Sequence, residues 1–554
     1  MYADINPSIL NARKFYWGLI MLTKSDKPTL TGLLQHAAET NPGGLCISMD
    51  GHQRSFSELF QGALTRARCL VNLGAQKGDK VGILLPNGIE YLEIFYGAML
   101  VGCVPVTINN RYKVAELKYV LSHGDVKFLF TSAATETNFL NTLKEAFTDL
   151  NLTQSSQELA DAPVLEKVYV VEDAPHPQIS DADFLTNMSG DDFTPPSVHS
   201  EDVAFIMFTS GTTANPKACC LSHRSVVGNG FAQAARWQMT AQDRMYDPLP
   251  FFHMSTILPL TACMCVMASL YATRYFNVDE AIETFINDDI TIGFIAFPTL
   301  TNEIINHPKF DGAALSSVRL VNNVAPVSTL EIYDRVFEHG VGVSAYGMTE
   351  AGGVICYGDV EDSLEKRLNT SGKPFPDIEV RIADPENPSN VLGTNQKGEI
   401  QIRGYCLFEG YYKDEKATQN AMIDDGWYRS GDLGALDDEG YLSYLGRWKD
   451  MLKIGGENVA ALEIESHINS HPAVVLSQIV GVEDDRLDEV AAVFIEAVPG
   501  ASVSSQDIID YCKGQISNFK IPRYVIFVTE WPMSATKIQK FKLKSLDLGE
   551  KLTS

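Results

Sequence analysis

The stretch Thr209-Ser210-Gly211-Thr212-Thr213-Ala214-Asn215-Pro216-Lys217 places four hydroxyls, a glycine and one lysine directly after the apolar run Phe205-Ile206-Met207-Phe208. Those residue types suit polyphosphate. Hydroxyls and exposed backbone N–H groups wrap around anionic oxygens, Gly211 permits close approach, and Lys217 supplies a point charge. The Gly-x4-Gly-Lys-Ser/Thr spacing of a Walker A loop is absent. Taken alone, the stretch also reads as a polar turn after a strand.

Three further groups carry chemistry. Tyr346-Gly347-Met348-Thr349-Glu350 follows the apolar run from Val341 to Ala345. That order predicts a loop at a strand's C-terminal end, where open α/β sheets bind ligands. Thr349 offers a hydroxyl to phosphate and Glu350 a carboxylate to Mg²⁺. Ser430-Gly431-Asp432-Leu433-Gly434 presents an aspartate suited to accept from both hydroxyls of a ribose. Arg447 and Lys449 fall between two folded units, within reach of a nucleotide. Singly, each group has a plainer reading as a capped turn, a β-turn aspartate or solvated charge.

The elements that must position these residues follow a βαβ rhythm. Helical patterns over Thr29 to Asn41 and Phe56 to Leu73 precede apolar runs at 81–85, 104–108 and 127–130, with helices over Glu90 to Val101 and Val114 to Leu121 between them. This predicts parallel sheets. Ser222 is placed to cap a helix reaching Trp237, and strands are expected at 291–297, 318–321 and 341–345. Residues 173–200 lack periodicity and are expected to form a surface connection. From Asp377 short β runs indicate a β-rich subdomain, and near Gly446 a smaller α+β unit begins. The expected organisation is an arm over 1–27, a large α/β domain over 28–446 and a small C-terminal domain over 447–554.

At 554 residues the chain exceeds a single core. A hydrophobic share of 45% and a net charge of -26 predict a globular protein and argue against nucleic acid or an anionic membrane as partner. Ten scattered cysteines without a Cys-x-x-Cys pair point to reduced thiols and a cytoplasmic setting. Phe15 to Leu22 is too short for a membrane span and lacks a small-residue cleavage site, so neither secretion nor a transmembrane segment is expected.

In this order, Thr209 to Lys217, Tyr346 to Glu350, Ser430 to Gly434 and Gly446-Arg447-Trp448-Lys449-Asp450-Met451-Leu452-Lys453 resemble the adenylate-forming superfamily, which contains acyl-CoA synthetases. The resemblance implies an ATP- and acyl-binding domain beneath a small mobile one. Thr209, Ser210, Gly211, Thr212, Thr213 and Lys217 would hold the β- and γ-phosphates. Thr349 would touch the α-phosphate, Glu350 would bind Mg²⁺, and Asp432 with Arg447 would hold the ribose. Tyr346, Gly347 and Met348, with the backbone around Asn323, Val324 and Ala325, would flank adenine. Lys449 matches the hinge. Lys537 matches the mobile catalytic lysine, although Thr536 stands where the family has glycine, and Lys540 remains a rival. Ala214 and the Asn322-Asn323-Val324 segment also depart from the glycines of the family pattern.

The segment with His253 and Met254, together with Phe297, would line the acyl pocket, and no aspartate stands there to meet an amino acid's ammonium. His253 reads equally as a gate or as a hydrogen-bonded structural residue. The apolar run from Ile257 to Leu270 suits a pocket wall but fits a core helix better. Lys453, Gly455, Gly456 and Glu457 resemble the turn facing the pantetheine of CoA. The expected partners are a carboxylic acid (fatty, alicyclic or aromatic), ATP, Mg²⁺ and CoA, with a homodimer left open. Loading of a carrier protein, or a degenerate nucleotide-binding protein, are the competing readings.

Overall fold

Apolar runs too short to be helices and bounded by helical periods bury themselves by pairing side by side, with helices packed over their faces. The computed structural model shows this arrangement twice. It describes residues 28–134, 139–172, 174–186, 196–209, 215–454, 457–484, 486–534 and 537–544. One seven-stranded sheet runs in the order Val341–Val343, Leu320–Asn323, Ile292–Ala296, Arg244–Tyr246, Ser269–Ala272 and Leu45–Met49, all parallel, and ends at the antiparallel strand His52–Ser55. The second runs Gly410–Tyr411, Lys217–Ser222, Val203–Thr209, Val104–Thr107, Lys80–Leu84, Val126–Ser132 and Lys167–Val171. Its first three strands are antiparallel neighbours and the rest are parallel.

A single apolar cluster joins both sheets, and the helices Ile89–Leu100 and Met254–Val266 lie within it. Met254–Val266 carries no charged residue and Ile89–Leu100 only Glu90 and Glu93, so neither has a broad solvent face. The run from Ile257 onward is therefore core first. Helix ends follow their caps: Ser55 and Glu58 form a reciprocal capping box for Phe56–Asn72, and the Ser222 hydroxyl accepts from Ser225 N to start His223–Arg236.

Two expectations are corrected. The run from Val341 to Ala345 is not one strand, because the chain changes sheets: Val341–Val343 ends the parallel sheet, while Ala345–Met348 pairs antiparallel with Gly353–Tyr357. Tyr346, Gly347 and Met348 thus lie in a strand rather than a loop. The phosphate-loop candidate closes a hairpin, with Thr209 and Lys217 facing each other across two antiparallel strands, and the helix capped by Ser222 follows as expected. The 173–200 connection is not merely superficial. It carries the short helix Asp181–Thr186, whose Phe184 is fully buried and whose Asp181 pairs with the buried Arg66; six residues are too few to display a period.

The β-rich segment forms an antiparallel sheet of Ile378–Ala383, Gly398–Gly404, Trp427–Leu436, Met422–Ile423 and Leu442–Arg447. Beyond Arg447 a short turn over Trp448–Asp450 leads to a separate five-stranded sheet, with the helix Ala461–Asn469 packed against it.

Candidate active site

Hairpin closure sets the first part of the site. Lys217 opens the strand beside Thr209, whose hydroxyl donates to the Lys217 carbonyl at 3.4 Å. Ser210, Gly211, Thr212 and Thr213 lie outside the described residues. The Lys217 ammonium sits 4.6 Å from the centre of the Tyr411 ring, a residue of the neighbouring edge strand. The Tyr411 hydroxyl in turn donates to Glu350 Oε1 at 2.9 Å.

The segment carrying Glu350 is clamped from two sides. Asn229 donates through its amide nitrogen to the carbonyls of Ala351 and Gly352, at 2.9 and 3.1 Å, and Phe408 N donates to the Glu350 carbonyl at 2.9 Å. Thr349 is buried beside it. Gly353 follows in a left-handed conformation with φ +100°. A Cβ there would stand 2.9 Å from Leu258 Cδ2 and 3.2 Å from Met254 Cε, so glycine alone lets this strand approach the helix Met254–Val266.

On the other side of Tyr346 the charges alternate. Its hydroxyl donates to Asp432 Oδ2 at 2.8 Å, and Arg447 Nε stands 2.8 Å from Asp432 Oδ1. Asp432 is only 3% exposed, so the guanidinium supplies the countercharge that a buried carboxylate requires. Tyr444 stacks on Tyr346 with centroids 5.6 Å apart. Burial, then the neighbouring Asp432, pushes the Tyr346 phenol well above its ordinary range, keeping it a donor.

The remaining expected residues are less concentrated. Asn323 spends its side-chain oxygen on the Thr301 hydroxyl at 2.6 Å, Val324 is 42% exposed, and Ala325 packs at the edge of a separate apolar cluster. His253 caps the helix Met254–Val266 by accepting from Ser255 N, a structural use. Phe297 precedes the helix Pro298–Ile305 after Ala296, whose φ of +57° is unusual for a residue with a Cβ. Lys449 lies in the connecting turn, its ammonium pKa lowered by burial. Lys453 and Glu457 are exposed on adjacent strands; Gly455 and Gly456 between them lie outside the described residues.

Lys540 is not free for chemistry. It forms an ion pair with Glu465, which is 4% exposed and whose Oε1 also accepts from Ile479 N at 2.6 Å. Arg447, Asp450, Glu465 and Lys540 line an open cleft of about 210 Å³ where the small unit meets the last strand of the β-rich sheet. Lys537 forms a short ladder with Ser534 through its backbone, and its side chain lies outside the described residues.

Glu350 suits a hard divalent cation, being a half-buried carboxylate with a fixed donor. Among the described residues no group of three His, Cys, Asp or Glu side chains is gathered for a metal, so a cation here draws its other ligands from phosphate and water, as Mg²⁺ usually does. Sequence reasoning missed Tyr411, Tyr444 and Asn229. Only the glycine before Tyr411-Tyr412 hinted at a special backbone there, since Gly410 has φ +120°.

A buried aspartate paired to arginine, a tyrosine beside it, and a lysine and a carboxylate bridged by Tyr411 at a hairpin mouth suit the nucleotide handling of the adenylate-forming class. The chain belongs to the AMP-binding enzyme family, matching it over residues 34–412, with the AMP-binding enzyme C-terminal domain over 463–537. It is 33% identical over 539 residues to a putative acyl-CoA synthetase of Bacillus subtilis, covering 93% of this chain and 96% of that one. The mitochondrial medium-chain acyl-CoA ligase of Rattus norvegicus is 31% identical over 526 residues, covering 91% and 85%. Among solved structures, ATP-bound MatB from Rhodopseudomonas palustris superposes with a TM-score of 0.80 at 25% identity, over 93% of this chain and 98% of that one. A fatty acyl CoA synthetase of Mycobacterium tuberculosis gives 0.70 at 27%, over 94% and 98%. No helix among the described residues is long and apolar enough to cross a membrane.

Proposed function

We propose that this enzyme is an ATP-dependent acyl-CoA synthetase for an apolar carboxylic acid, fatty, alicyclic or aromatic. The observation that carries the reading is that the segment from Tyr346 to Glu350 anchors two sets of contacts, Lys217–Tyr411–Glu350 at one end and Tyr346–Asp432–Arg447 at the other. It pairs cations for phosphate with an acceptor for ribose. The relatives named as acyl-CoA synthetase and medium-chain acyl-CoA ligase support the substrate class, as does the apolar contact of Met254 and Leu258 at Gly353.

In the first half-reaction a carboxylate oxygen of the acid bonds to the α-phosphorus of ATP and the bond to the bridging oxygen breaks, releasing pyrophosphate. In the second, the CoA sulfur bonds to the acyl carbon and AMP departs with the electron pair of the C–O bond. Both first reactants are anions, so alignment and charge neutralisation dominate the barrier. Lys217 steadies the leaving pyrophosphate, Thr349 the α-phosphate, Asp432 the ribose. Mg²⁺ at Glu350 would neutralise phosphate charge. Lys537 is assigned the bridging role because Lys540 is held by Glu465. The division at 446/447 is that of the proposed mobile unit, with Lys449 as hinge. Lys453 and Glu457 would flank the thiol's approach, and the unpaired cysteines suit a reducing compartment such as the cytoplasm.

Pyrophosphate release from ATP and Mg²⁺, measured over a panel of straight-chain, alicyclic and aromatic acids with and without CoA, tests this. Turnover needing both acid and CoA, with acyl-CoA as product, is expected. One acid-dependent equivalent that CoA fails to turn over would overturn CoA as acceptor in favour of a carrier protein. Lys537→Ala is expected to abolish adenylation with the fold intact. Lys540→Met is expected to cost about 3 kcal/mol of stability by orphaning Glu465, measured by denaturant unfolding.

A further inference from the structure

Tyr411 stands between two groups of opposite charge that act on the same phosphates. Its ring face receives the Lys217 ammonium at 4.6 Å while its hydroxyl holds Glu350 Oε1 at 2.9 Å. A lysine and a carboxylate this close would ordinarily pair directly, and a direct pair would leave neither for a ligand. The ring takes the cation through its quadrupole and the phenol takes the anion through a hydrogen bond, so both remain charged and apart.

The tyrosine itself is rigidly set. Its backbone pairs with Cys219 of the strand that begins at Lys217, and its N–H donates to the Thr418 hydroxyl at 2.9 Å. Phe408 packs edge-on against Tyr411 at 4.8 Å and against Tyr428 at 5.7 Å, and the same Phe408 holds the Glu350 carbonyl through its N–H. Tyr411 is 7% exposed, so water competes poorly for these contacts. Burial followed by the Glu350 charge keeps its phenol protonated far above neutral pH.

We infer that Tyr411 is a positioning residue that holds Glu350 and Lys217 apart and aimed, so that the divalent cation and the pyrophosphate are bound as one unit. This rests on the reading of Glu350 as the cation's ligand and Lys217 as a phosphate ligand.

Tyr411→Phe separates the two contacts, keeping the ring and removing the hydroxyl. Calorimetric titration of the full-length enzyme with a non-hydrolysable ATP analogue at graded Mg²⁺ reads the cation dependence without turnover. The Mg²⁺ concentration for half-maximal analogue binding is expected to rise roughly 10-fold in Tyr411→Phe, the scale of a lost hydrogen bond to a charged group. Analogue affinity without Mg²⁺ should also fall, but by a smaller factor than the Mg²⁺ requirement rises, because the freed carboxylate draws Lys217 from the phosphates. In a Lys217→Met background the same substitution should shift the Mg²⁺ requirement by only about 2-fold, because no ammonium remains to capture the freed carboxylate. Tyr411→Leu should add weakened analogue binding to the cation effect. An unchanged Mg²⁺ requirement in Tyr411→Phe would overturn the inference while leaving the enzyme's proposed activity standing, as would a lowered melting temperature with no change in that requirement. Analogue binding by the parent that ignores Mg²⁺ would overturn both this inference and the role given to Glu350.

Discussion

Asp432 is the residue on which the nucleotide site turns, because its two oxygens are committed to different partners, Tyr346 on one side and Arg447 on the other. Asp432→Asn removes the charge that Arg447 faces and weakens the ribose acceptor. kcat/KM for ATP in acid-dependent pyrophosphate exchange is expected to fall at least 30-fold, the equivalent of about 2 kcal/mol. Tyr346→Phe, which removes a single donor, should cost less than 10-fold in the same assay. At this scale the sequence was informative wherever a motif is contiguous: Thr349-Glu350 and Ser430 to Gly434 could be read from neighbours in the chain. Tyr411 could not, because it lies 61 residues from the carboxylate it holds. Its role exists only once the edge strand Gly410–Tyr411 is laid beside Lys217–Ser222. The pairing of Lys540 with Glu465 is likewise announced by no spacing in the lysine segment.

Among the elements, the strand Gly353–Tyr357 brings the segment carrying Glu350 against the helix Met254–Val266 through one glycine. Gly353→Ala forces a Cβ against Leu258 and Met254 at a positive φ and is expected to destabilise by about 1–3 kcal/mol. Its KM for the acid should rise more than its KM for ATP, read by parallel kinetics. The helix His223–Arg236 carries a titration of its own. His223 is 1% exposed, and burial pushes its pKa down from 6.5 to about 4, with Asp202 opposing the shift and Lys77 adding to it. The folded state therefore binds fewer protons than the unfolded state between pH 4 and 6.5, and stability falls as the pH drops through that window. Between pH 7 and 5 the loss is roughly 2 kcal/mol, and His223→Gln should remove that part of the slope in chemical unfolding curves. Most helices were legible because cap and period agreed, as at Ser55 and Ser222. The split of 341–348 into two strands of different sheets was not, since both halves are apolar and the sequence shows no break between them.

The molecule as a whole has more than one core. The apolar cluster after Leu452 contains no residue from the two large sheets, and the chain crosses to it once, over Trp448–Asp450. Calorimetry is expected to show two unfolding transitions, with a smaller one for this unit, because few apolar contacts couple the two cores. A non-hydrolysable acyl-adenylate analogue should raise chiefly the larger. The sequence conveyed this division through its change of texture near Gly446, but not the cleft between the units, which depends on how they meet. One long-range tie sets a limit on shortening the protein. Leu30 N donates to His223 Nδ1 at 3.2 Å across 193 residues of sequence, fastening the first described helix to the start of the helix that follows the phosphate hairpin. Trimming up to Thr29 leaves that stitch whole. Deleting a few residues more strips a buried imidazole of its donor, so an affinity handle or fusion partner attached ahead of Thr29 should be harmless, whereas one replacing the Leu30–Thr40 helix should reach the catalytic hairpin from the opposite end of the chain.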